Sequence, residues 1–169
     1  MSPVLFDPEL SDEKRREALF AGDLLVFSPG PAATALCAFA RSMLEEAFHP
    51  LDPETAQHQL PVRAYARIAS ELKPAFIHHA ESKRLLRELL RAHGCDAEAT
   101  HFDVPRLRSS TSHGYLTTGI AYAFHPHRDT WYSAPACQVT WWIPVTPITR
   151  DNGLAFHPRY FQRAVKNSS

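Results

Sequence analysis

Residues 123–132 read AFHPHRDTWY and decide the fold that we predict for this chain. Within this stretch His127 and Asp129 are separated by one residue, so on an extended strand both side chains leave the same face. A neutral imidazole and a carboxylate on one edge are two of the three ligands of the 2-His-1-carboxylate triad, which binds non-haem Fe(II) and leaves positions open. The stretch therefore predicts a metal site carried on a β-strand.

His125 lies on the same predicted face and offers a second pairing. Positions 125 and 129 are roughly 13 Å apart along a strand, which is too far for both to bind one ion. Either His127 pairs with Asp129, which suits iron with an open face, or His125 pairs with His127, which suits zinc or copper. A His-x-Asp triplet is expected by chance roughly 0.5 times in a chain of this composition, so the flanking sequence has to decide.

Length and composition limit the size of the protein and the kind of partner. A chain of 169 residues is long enough for one domain with a core and short for two, so we predict a single domain, residues 1–169. Its 18 Lys and Arg residues balance its 18 Asp and Glu residues, which favours a small-molecule partner over nucleic acid. Three cysteines without a CxxC spacing fit a reducing compartment, and no stretch is apolar enough to cross a bilayer, so we predict a cytoplasmic location.

Periodic apolar residues predict a mainly helical first part, residues 1–98. Residues 11–22 have the pattern of a short helix with Ser11 as its N-cap. Residues 23–28, DLLVFS, form a compact apolar segment typical of a strand. Pro74 is expected to stop the second of the helices that follow. We expect these helices at residues 31–48, 61–72 and 81–94.

The second part, residues 99–169, changes to β character. Its segments are rich in β-branched and aromatic residues and are separated by turn-like groups such as SAPA and RDNG. Helices followed by strands indicate an α+β arrangement rather than alternating βαβ units. The predicted strands cover residues 100–110, 114–124, 137–145 and 153–158.

The order of motifs in this part resembles the phytanoyl-CoA dioxygenase-like group of Fe(II)- and 2-oxoglutarate-dependent oxygenases. In that family a His-x-Asp pair is followed by a hydrophobic strand, usually with tryptophan, and then by an Asn-Gly-x-x-x-x-x-Pro segment. The corresponding segments here are residues 127–129 (HRD), 141–144 (WWIP) and 152–158 (NGLAFHP). The last segment is one residue shorter than in the family, and it continues Pro-Arg-Tyr-Phe where the family usually has Pro-Gly-Ser-His.

The resemblance implies a double-stranded β-helix core, the jelly-roll or cupin-like fold, with the helices of residues 1–98 packed on one sheet. Residues 99–169 would supply its first strands. The implied activity is that of an oxidoreductase, a 2-oxoglutarate-dependent dioxygenase that converts 2-oxoglutarate to succinate and carbon dioxide while it hydroxylates a small organic substrate. His127 and Asp129 carry the metal role in this assignment.

Arginine and tryptophan residues near the pair are candidate contacts for 2-oxoglutarate. Arg106 and Arg108, on the strand predicted before the pair, offer guanidinium groups for bidentate binding of a carboxylate, and we select Arg108. Side chains alternate between the two faces of a strand, so only one of Trp141 and Trp142 can face the interior. We predict that Trp141 lines the 2-oxoglutarate pocket. Exposed strand arginines and a plain core tryptophan are the structural alternatives.

The third metal ligand is not identified. The family carries its second histidine ligand, and the basic residue that pairs with the far carboxylate of 2-oxoglutarate, later in the chain. We therefore expect both beyond residue 169 and the jelly roll to be incomplete, while His157 is the alternative third ligand. Two other hypotheses stay open: a cupin-like metal or ligand-binding module without turnover, and a purely structural role in which HPHRD is a surface loop.

Overall fold

The computed structural model describes residues 4–116, 126–135, 137–161 and 163–165. Four helices form most of the structure, beside one sheet of two short parallel strands. No helix in these ranges has both the length and the apolar character that a membrane crossing requires. The helices are α1 (Asp12–Ala21), α2 (Pro31–Phe48), α3 (Val62–His78) and α4 (Ala80–Ala92), and the strands are β1 (Val4–Phe6) and β2 (Leu24–Val26). Short 3-10 helices cover Ala56–His58, Asp129–Tyr132 and Pro158–Tyr160.

The predicted double-stranded β-helix is absent from the described residues. After residue 99 these residues form turns and two of the 3-10 helices, and none of them belongs to a strand. Their backbone hydrogen bonds are local, as from the Tyr115 amide to the Ser112 carbonyl and from the Ala134 amide to the Asp129 carbonyl. The prediction of an α+β fold with a jelly-roll core, and the assignment of residues 99–169 to its first strands, are therefore wrong.

The error has a physical cause in what β propensity measures. β-branched and aromatic residues favour a pleated surface only where neighbouring strands provide one. No such neighbour exists among the described residues after position 99, and proline interrupts two of the four predicted strands, 100–110 and 137–145. The fourth, residues 114–124, falls largely on residues 117–125, which lie outside the described part of the chain.

The helices predicted in the first part are confirmed: α1, α2 and α4 differ from prediction by at most two residues at either end, and α3 extends further than predicted. The Ser11 hydroxyl accepts a hydrogen bond of 3.3 Å from the Lys14 amide at the start of α1. Gly22 ends that helix at φ 97°, a left-handed conformation that favours glycine. The sequence does not predict β1, which pairs in parallel with β2 and places Val4 beside Leu24.

Pro74 does not stop α3, contrary to prediction. The helix continues to His78, although proline lacks the amide donor and crowds the preceding turn. Phe76, two residues after the proline, is only 5% exposed and packs in the apolar cluster shared with α2 and α4. Burial of this ring offsets the local penalty.

Two apolar clusters hold the helices together. The first joins Phe48 of α2 to Tyr65 and Ala69 of α3. The second joins Leu36 and Ala40 of α2 to α3 and to the leucine stripe of α4. The later segments lie on these clusters through Leu107, Tyr115, Leu116, Ile143 and Val145.

Ser82 of α4 is fully buried, and its hydroxyl has no hydrogen-bond partner among the described residues. It is the third residue of α4, so the carbonyl four positions earlier belongs to α3 and not to its own helix. A buried hydroxyl without a partner loses its hydration and gains nothing in return.

We therefore expect Ser82→Ala to raise the free energy of unfolding by about 1 kcal/mol, measured by urea denaturation. Ser70→Ala is the matched control, because Ser70 is exposed on α3 and its hydroxyl donates a hydrogen bond of 2.7 Å to the Arg67 carbonyl. Both changes replace serine by a better helix former, but only Ser82→Ala removes a buried hydroxyl without a partner, whereas Ser70→Ala removes an exposed hydrogen bond. A loss of stability in Ser82→Ala would contradict this account.

Candidate metal centre

His127 and Asp129 converge on one side of the chain. Arg128 between them is extended, with φ −112° and ψ 139°, so the side chains that flank it leave the same side. The chain then turns into the 3-10 helix Asp129–Tyr132. Nε2 of His127 lies 3.5 Å from Oδ1 of Asp129. One extended residue thus gives the convergence that we predict for a strand.

A second contact holds the Asp129 carboxylate. Thr140 donates a hydrogen bond of 2.6 Å from its Oγ1 to Oδ2 of Asp129. Thr140 directly precedes Trp141, so this bond joins the His-x-Asp segment to the aromatic segment that follows it. Hydrogen bonds of this kind orient ligating carboxylates in metal sites. Oδ2 of Asp129 accepts the bond from Thr140, and Oδ1 is the oxygen that faces His127.

Arg128 fastens the same segment to the C-terminal part of the described chain. Its guanidinium donates hydrogen bonds to the backbone carbonyl oxygens of Tyr160 and Arg163. It also lies 5.9 Å from the centre of the Trp131 ring. The residue between the two candidate ligands therefore anchors them, while its own side chain points to another part of the structure.

The distance between the two donor atoms fits adjacent ligands of one metal ion. Two atoms at about 2.1 Å from a first-row divalent ion, and about 90–110° apart, are roughly 3.0–3.4 Å from one another. The 3.5 Å between His127 and Asp129 needs only a small movement to match. Their side chains are 29% and 46% exposed, so an ion can reach both from solvent. The pair also forms a salt bridge whenever the imidazole is protonated.

The described residues bring together two candidate ligands and not three. No group of three or more His, Cys, Asp or Glu side chains in these ranges can hold a metal ion. His157 packs its ring 6.5 Å from that of Tyr160 and does not complete the site. His125, the alternative partner of His127, lies outside the described residues.

The arginines that precede the pair are both exposed. Arg106 forms an ion pair of 3.0 Å with Asp103, which is a local contact three residues away. Arg108 lies close to Lys73 of α3, whose ammonium pKa is lowered by burial and then by the Arg108 charge. A role for Arg108 in binding 2-oxoglutarate stays a prediction.

Trp141 packs against the N-terminal part of the protein. Its ring centre is 6.0 Å from that of Phe27 and 5.1 Å from that of His93. Trp142 is 45% exposed, while Trp141 is half-buried. The described contacts of Trp141 are those of a packing residue, and its place beside 2-oxoglutarate stays a prediction.

Comparison of the chain with protein-family models, with curated proteins and with solved structures found no match. The functional assignment therefore depends on the geometry of the described residues and on the resemblance of the motifs.

The sequence does not reveal that Thr140 and Arg128 support the candidate site. Thr140 meets Asp129 across eleven positions, so its role depends on how the intervening loop folds. Arg128 stands between the two ligands, but the sequence alone does not show that it reaches the carbonyls of Tyr160 and Arg163. A polar residue just before the aromatic segment is the one sequence signal for Thr140, and it is a weak one.

The packing around Trp141 predicts a dependence of stability on pH. Burial lowers the pKa of His93 below its ordinary value, and the charge of Arg15 lowers it further, while Asp7 opposes them. Because the unfolded chain takes up this proton more readily, the contribution of His93 is present above about pH 6.5 and is lost as the pH falls through that value.

We expect the free energy of unfolding to fall between pH 7.5 and 5.5, and to fall less in His93→Gln. His101→Gln, a change at an exposed histidine, serves as the control. Urea denaturation at several pH values measures the effect. An equal decrease in the wild type and in His93→Gln would show that His93 does not cause it.

Proposed function

We propose that the chain is the metal-binding part of an Fe(II)- and 2-oxoglutarate-dependent dioxygenase that hydroxylates a small organic substrate. His127 and Asp129 are two of its three metal ligands. The proposal does not include a jelly-roll core, which the described residues lack. It includes a small-molecule partner and a cytoplasmic location. The three cysteines, none of which forms a disulfide bond, support the location.

The approach of Nε2 of His127 to Oδ1 of Asp129, at 3.5 Å, is the observation that carries the proposal. Both groups belong to the His-x-Asp motif on which the family resemblance depends. The Thr140 hydrogen bond adds support, because it brings the second motif of the resemblance, the aromatic segment, against the first. The residue directly before the aromatic motif thus contacts one of the two candidate ligands.

Each residue has a defined part in the proposed site. The neutral imidazole of His127 and the carboxylate of Asp129 bind the ion, and the carboxylate also offsets one of its charges. Thr140 orients that carboxylate, and Arg128 anchors the segment. When bound, Fe(II) supplies the activation of dioxygen that side chains cannot provide. Asp129 is almost half exposed, so small ligands can reach the ion from solvent.

Anaerobic addition of Fe(II) and 2-oxoglutarate should produce a weak visible charge-transfer band. The band should vanish in His127→Ala and in Asp129→Ala, because each variant removes a ligand. His101→Ala is the matched control, since it removes an exposed histidine outside the motif, and it should keep the band. A wild-type protein that shows neither the band nor succinate formation in air contradicts the proposal.

The Thr140 contact predicts a graded effect on metal affinity. Thr140→Val should weaken Fe(II) or Mn(II) binding by about tenfold or more, because the carboxylate loses its orienting donor. Thr140→Ser keeps the hydroxyl and should restore most of the affinity. Calorimetric titration with Mn(II) measures both variants. Equal affinity in all three proteins would mean that the hydrogen bond has no part in the site.

A metal-binding module without turnover is the second candidate function. Such a module needs neither a third ligand nor a dry pocket, which fits the two candidate ligands and the exposure of Asp129 among the described residues. The two functions differ in one measurable respect. An oxygenase should bind Mn(II) more tightly when 2-oxoglutarate is present, whereas a binding module should show the same affinity with and without the acid.

A further inference from the structure

A polar cleft lies between the C-terminal half of α4 and the loop that follows it. Its volume is about 500 Å³, and its polar and aromatic lining residues are Arg87, Arg91, Glu98, Thr100, His101 and Phe102. None of these residues belongs to the candidate metal centre. We propose that this cleft binds a phosphoryl anion, such as pyrophosphate or a phosphate ester, between Arg87 and Arg91.

The two arginines are neighbours on the surface of α4. They are four positions apart, which places their Cβ atoms about 5–6 Å from one another on the same side of the helix. Like charges at this spacing repel, and an anion bound between them removes the repulsion. The cleft therefore has a physical reason to attract negative charge.

Neither arginine is neutralised by a carboxylate among the described residues. The ion pairs of α4 are formed by Arg84, which binds both Glu81 and Glu88 at 2.5 Å. Arg87 instead lies over the Phe102 ring, with 5.9 Å from the guanidinium carbon to the ring centre. This contact positions the guanidinium by one face and leaves its N–H edges for a ligand.

The opposite wall of the cleft is held in place by Asp96. Its Oδ1 accepts hydrogen bonds from the amides of Glu98, at 2.9 Å, and Ala99, at 3.3 Å. Its carbonyl accepts a hydrogen bond of 2.5 Å from the Thr100 hydroxyl. These bonds order the loop that carries His101 and Phe102 to the cleft, so the two walls are set before a ligand binds.

The charges and geometry of the lining favour a phosphoryl group with more than one negative charge. Two guanidinium groups outweigh the single Glu98 carboxylate in the lining of the cleft. Each guanidinium presents a planar fork that matches two oxygens of a phosphate. Two such forks one helical turn apart suit the two phosphoryl groups of pyrophosphate.

Calorimetric titration with inorganic pyrophosphate, in metal-free buffer at low ionic strength, tests the proposal on the 169-residue protein. We expect Arg87→Gln and Arg91→Gln each to weaken binding by about tenfold or more. Glu98→Gln should tighten it by about two- to fivefold, because it removes the opposing charge. Circular dichroism checks that the variants stay folded.

Two controls separate a built site from general charge attraction. Arg150→Gln removes one positive charge at a side chain that is 95% exposed, and it should leave pyrophosphate binding unchanged. His127→Ala should also leave it unchanged, since the cleft shares no residue with the metal centre. The proposal is overturned if pyrophosphate does not bind, if Arg150→Gln weakens binding as much as Arg91→Gln, or if succinate binds as tightly as pyrophosphate.

Discussion

The packing of α2 against α3 and α4 supports the rest of the structure. Leucine and alanine side chains from these helices form a buried surface, and burial of such groups is the main favourable term in folding. The described segments after residue 99 have no ladder of backbone hydrogen bonds, so they depend on this surface for their position. Ile143 and Val145 lie on it, three and five residues after Thr140. The hydrogen bond that orients Asp129 therefore begins from a segment that the helices hold.

The helical part of the fold could be predicted because its signal is local. The leucines of α4 recur at helical spacing, and Leu85, Leu89 and Leu90 are all buried in the structure. The end of α3 could not be predicted, since the burial of Phe76 outweighs the local effect of Pro74. Propensity describes one residue and its neighbours, and tertiary packing overrides it.

The later part of the chain shows the limit of β-strand prediction. Its β-branched and aromatic residues would stabilise a strand only beside another strand. In the described residues they serve instead as anchors on the helices, as Tyr115 and Val145 do, or remain exposed, as Phe156 does at 55%. The composition identifies these residues as apolar, but no sequence pattern states which surface they will meet.

Of the candidate site, the sequence predicts only the convergence of His127 and Asp129. The spacing of His127 and Asp129 requires one extended residue between them, and Arg128 provides it without a strand. The Thr140 contact and the packing of Trp141 on Phe27 and His93 join distant positions, so they follow from the fold and not from the motif. The candidate site thus depends both on a local sequence pattern and on contacts between residues that are distant in the chain.

Diffraction from crystals grown with Mn(II), at an X-ray energy where manganese scatters anomalously, tests the central claim most directly. The account predicts one anomalous peak within about 2.0–2.3 Å of both Nε2 of His127 and Oδ1 of Asp129, with the Thr140 hydroxyl still on Oδ2. A direct salt bridge between His127 and Asp129 with no manganese beside it, or manganese bound elsewhere on the protein, would contradict it.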